Sequence, residues 1–275
     1  MLNVICHFMN DSQKHLDFFI QLIPKMLLHF QEREINSIQK FSLGLLDRLL
    51  KVSLSLKVII QKIDTTPELE FSAGIIVRAM ILDMLIGLNF YKLLKDCLSK
   101  NLTNDAIKYL LQEFCNRALA DGLDSTAKSL KLAKDLGYIS SSQLEEAFNN
   151  FGHNQKKFLN THLGKGEMPE SKYGKGDSPS VLFKNIACDS AMKNIAGMYD
   201  LYLFYSKYDH FGILYFETLD ISHNENKERL TKAIRLFVNH CANLYDIIER
   251  VSEKGEFITS QLKTVEVYLD QKNGV

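Results

Sequence analysis

An all-α, multi-helix bundle is the fold this sequence predicts, and three observations carry that expectation. Apolar residues recur at intervals of three and four along most of the chain, the period of a helix with one buried face. One long stretch, Glu68 to Ser99, is apolar nearly all round through residue 94, as suits a helix surrounded by others. With only four prolines and fourteen glycines in 275 residues, there is no succession of short alternating runs with hairpin turns. The expected organisation is an N-terminal helical hairpin over residues 1–64 followed by a bundle core over 65–275, or one continuous domain.

The elements follow in order. Ser12 caps a first helix to about Glu34, with Phe18, Phe19, Leu22, Ile23, Met26, Leu27 and Phe30 at helical spacing and Pro24 kinking it or marking its start. A second helix, Ser37 to Lys62, carries Phe41, Leu45, Leu46, Leu49, Leu56 and Ile60. Thr66 and Pro67 then open the central helix, with Glu68 and Glu70 favouring its N-terminal end. Shorter helices are expected from Asn104 to Ala118, from Asp124 to Leu136 before Gly137, and from Ser140 through Phe151. No segment repeats with a fixed period, which excludes a solenoid.

Between about 162 and 180 the periodicity collapses into a long loop rich in glycine and lysine. Its GKGE and GKGD lack both the GxxxxGK[ST] spacing and a preceding apolar strand, so it does not read as a phosphate loop. Ser178 or Ser180 caps a helix to about Asn194. An aromatic helix then runs to Gly212, residues 213–224 connect, and a long helix from about Asn224 to Lys254 precedes a last one over 256–269.

Charge narrows the function classes. Thirty-three basic side chains balance thirty-three acidic ones, which argues against a polybasic coat for nucleic acid or a membrane anchor. Five widely spaced cysteines without a CxxC pair read as reduced thiols, so a cytoplasmic location is expected. The N-terminus lacks the pattern of a signal peptide. Arg78 and Asp83 interrupt the apolar run at Gly74–Phe90, where charges would be costly in lipid; a buried bundle helix is expected there, with no membrane partner.

Within MYDLYLFYSKYDHFG, Tyr199, Tyr202, Ser206 and His210 fall at spacings of three, four and four and so form one stripe with hydrogen-bonding tips. Buried, each tip needs a partner, because an unpaired polar group costs roughly 1–3 kcal/mol. Arg78, one of the only two charges in the apolar run from Phe71 to Phe90, is the candidate. The cluster then has two readings. In one, His210 is an acid or base, Arg78 an anion holder and Ser206 a third catalytic group, with Tyr199, Tyr202 and Asp83 binding substrate. In the other, it is a satisfied network that fixes which helices face each other. Glu217, Asp220 and His223, beside Asp209 and His210, match no helical metal pair, so no metal is expected; nor is any cofactor.

Two stretches carry a resemblance. Residues 179–212, with Tyr199, Tyr202, Ser206 and His210, resemble the Y-x2-Y-x3-S-x3-H segment of a widespread bacterial all-helical family of unknown function. FSAGIIVRAMILDML (71–85) resembles that family's upstream helix, where an arginine is followed by an acidic residue; here Leu82 stands four positions after Arg78 and Asp83 five. The family is loosely HEPN-like. That resemblance implies an all-α, dimeric architecture of the HEPN kind, in which a metal-independent ribonuclease of a defence or toxin–antitoxin system would use an imidazole on the RNA 2′-hydroxyl and an arginine on the phosphate. A homodimer is then expected, with RNA or an antitoxin protein as partner. Arg235 and His240, in RLFVNH, have the R-x4-6-H spacing of such ribonucleases and form a second candidate pair, although Leu236 stands where those enzymes carry a polar residue. Other HEPN relatives serve as non-catalytic binding or dimerisation modules, which is the alternative function here.

Overall fold

The computed structural model describes residues 13–14, 16–17, 20–25, 27–28, 36–149, 177–189, 196–209, 225 and 228–234. Among them the fold is all-α, with no strand. The chain divides into two compact units, Met1–Lys100 with Pro179–Val275, and Asn101–Ser178.

In the first unit, α1 (Ser37–Ile60) opens on a reciprocal capping box. The Gln39 amide N–H donates to Asn36 Oδ1 at 2.8 Å, and the Asn36 N–H donates to Gln39 Oε1 at 2.9 Å. Its inner face is Ile38, Leu45, Leu46, Leu49, Leu56 and Ile60, all buried. Ser42 and Ser53 lie on that face too, and each hydroxyl donates to the carbonyl four residues back, which removes the cost of burying it. The helical residues at 13–28 bury Leu16, Leu22 and Ile23, and the carboxylate of Asp17 pairs with Lys57 Nζ of α1 at 2.5 Å. Pro24 sits among helical residues 20–25 rather than before them.

Helix α2 (Leu69–Ser99) is the centre, packed against α1 and against two later helices, α5 (Pro179–Ala187) and α6 (Ala196–Asp209). Burial recurs along it from Ala73 to Cys97, so its composition is explained by having neighbours on several sides. It is also the one described helix long and apolar enough to cross a membrane, with a mean hydropathy of 1.9 over its best window. A side-chain cap at Thr66 is expected, but α2 is entered through i→i+3 turns, Leu69 N–H to Thr66 O and Glu70 N–H to Pro67 O, and Glu68 makes no cap bond. It stops at Asn101, whose φ of 50° is a left-handed conformation that asparagine tolerates.

Helix α5 corrects an expected boundary. It ends at Ala187, not near Asn194, and Asp189 in the turn that follows pairs with Lys95 Nζ of α2 at 3.5 Å. A tertiary ion pair thus accompanies a stop that local propensity does not announce. Pro179 is its first residue, where a missing N–H costs nothing, and Leu182 and Ile186 are buried. Residues 225 and 228–234 are helical, as expected there, and bury Leu230, Ala233 and Ile234.

The second unit joins α3 (Asn104–Asp135) to α4 (Ser141–Asn149). Two helices were expected across 104–136, but α3 is continuous. Gly122 costs about 1 kcal/mol relative to alanine yet keeps its N–H, and no proline intervenes, so the hydrogen-bond ladder runs through. Thr103 Oγ1 accepts from the Ala106 N–H at 3.3 Å to start it. Gly137, at φ 76°, ends it: its N–H reaches Lys134 O and that of Tyr138 reaches Ala133 O, the two bonds of a Schellman stop. Ser140 and Gln143 then form a second capping box. Of the loop expected at 162–180, residues 162–176 lie outside the described residues, as do the helices expected beyond 234.

Candidate functional site

The stripe on α6 and the arginine on α2 do meet. Arg78 Nη2 donates a long, 3.5 Å hydrogen bond to the Tyr202 hydroxyl, and its guanidinium carbon lies 5.3 Å from the centre of the Tyr202 ring. The cation thus uses both the face and the tip of one tyrosine, whose residue is 9% exposed. One turn earlier, Tyr199 lies 9° from parallel to Tyr202, with centroids 6.2 Å apart. Tyr199 also stacks with Phe183 of α5, 4.5 Å away and tilted by 15°. The result is a ladder of near-parallel rings, Phe183, Tyr199 and Tyr202, with Arg78 at one end.

Ser206 and Asp83 are engaged elsewhere. The Ser206 hydroxyl donates to Leu203 O of its own helix at 2.7 Å. Asp83 follows Arg78 by five residues, about 140° round a helix, so it faces another side of α2. There it is buried and accepts from Arg48 Nε of α1 at 2.8 Å. His210, Arg235 and His240 lie outside the described residues.

Burial and pairing pull on Asp83 in opposite directions. Desolvation raises its pKa, the Arg48 hydrogen bond and charge lower it, and the net displacement is upward. The burden falls on the carboxylate because the Arg48 side chain is 63% exposed and its charge stays hydrated. A carboxyl with a raised folded-state pKa adds most to stability below the unfolded value, and that contribution is lost as pH rises through the folded value. Asp83→Asn keeps the shape, removes the buried charge and leaves Arg48 to water. We therefore expect Asp83→Asn to be more stable than wild type by ~1 kcal/mol near neutral pH, with the gap closing as pH falls into the carboxylate range. Paired thermal melts between pH 4 and 8 check this; a variant that melts lower at pH 7 would show that the ion pair outweighs the burial cost.

Two partners were not visible in the sequence. Phe183 continues the ladder from α5, and Arg229 lies over the Phe204 ring at 4.1 Å. Phe204 is two residues beyond Tyr202, about 200° round α6, so α6 carries a guanidinium on opposite sides. Phe183 and Arg229 could have been flagged only by knowing which helices adjoin.

Cys115 is buried, and its thiol is pushed up to about 12 by that burial; burial also raises Cys97, so both are protonated at neutral pH. Among the described residues no group of three His, Cys, Asp or Glu side chains is placed to hold a metal ion. No family model matches the chain, and no curated protein or solved structure matches it either.

Proposed function

We propose that this chain is a non-catalytic helical interaction protein in which the Arg78 cluster is a structural tie between α2, α5 and α6. The observation that carries this reading is the ladder itself: Arg78 lies on the ring of a nearly buried tyrosine, which is stacked in turn through Tyr199 to Phe183. Arg229 is used in the same way on Phe204, so arginine-on-ring contacts are a packing device that α6 repeats. A protein partner has apolar side chains to cover on α1, where Leu54 and Val58 lie one turn apart and are both more than two-fifths exposed.

The competing reading is the metal-independent ribonuclease implied by the HEPN-like resemblance, with a homodimer acting on RNA in defence. One feature favours it: Arg78 remains partly exposed beside a tyrosine hydroxyl, and a cation next to stacked rings suits a phosphate and a base. Arg78→Ala separates the two. Under the structural reading, wild type leaves mixed RNA intact without added metal. The variant then loses about 1–2 kcal/mol, from the cation–ring contact and the desolvated tyrosine tip. RNA cleavage by wild type that vanishes in Arg78→Ala, with melting unchanged within a few degrees, would overturn it.

A further inference from the structure

We draw no further inference here: the strongest candidate, the exposed apolar patch of Leu132, Leu136 and Tyr138 at the turn between α3 and α4, carries nothing because nothing in the structure shows what covers it.

Discussion

Phe90→Ala is expected to cost about 3–5 kcal/mol, which for a domain whose whole stability is of order 5–15 kcal/mol removes a large share of it. Phe90 is fully buried on α2, the helix against which α1, α5 and α6 all pack. Its ring meets Phe41 of α1 edge to face, with centroids 5.3 Å apart and planes at 67°. Truncation therefore loses the transfer energy of a large side chain, leaves a cavity between two long helices, and gives up a ring pair itself worth about 0.5–1.5 kcal/mol. Neither helix can close the gap cheaply, since each is fixed along its length by other buried residues. Phe71, on the same helix but 37% exposed, serves as the control: Phe71→Ala should cost well under half as much. The chain has no tryptophan, so urea unfolding is best followed by far-ultraviolet circular dichroism. A Phe90→Ala midpoint matching that of Phe71→Ala would mean that α2 is not the core helix.

That α2 is central was legible because its apolar residues leave no wet face, and a helix of that kind has to be enclosed. The meeting of Arg78 with Tyr202 was legible for a related reason: a charge in an apolar helix and a stripe of polar tips each demand a partner. Arg48 was not legible as the partner of Asp83. It sits in α1 among residues of ordinary amphipathic pattern, and only the register of α1 against α2 selects it. Ser206 shows the limit of stripe arguments, because a serine can satisfy itself on the turn behind it and need not join its neighbours. The break expected near residue 120 failed because one glycine weakens a helix without removing a hydrogen bond.

Asn89 carries no charge and nothing in the sequence marks it, yet its amide predicts the second large effect. It is 7% exposed on α2, and its Nδ2 donates both to Leu85 O of its own helix, at 2.8 Å, and to Leu182 O of α5, at 2.9 Å. An NH2 group has two hydrogens and here both are used, one of them between helices. Asn89→Asp changes almost no volume but replaces that double donor with an acceptor aimed at two carbonyl oxygens. At neutral pH the carboxylate is buried without compensation, so a loss of about 3 kcal/mol or more is expected, concentrated where α5 docks on α2. The new carboxyl escapes by holding its proton, so its folded-state pKa lies above the ordinary value. The penalty is then largest at high pH and shrinks as pH falls, when the protonated group can donate one of the two bonds again. Hydrogen exchange across 179–187 should speed up in the variant while the second unit, α3 with α4, stays at its wild-type rate. Asn89→Asp melting within a degree or two of wild type at pH 8 would show that α5 is held by Leu182 and Ile186 alone, with the amide a bystander. A melting temperature that instead recovers on acidification ties the docking of α5 to this one donor.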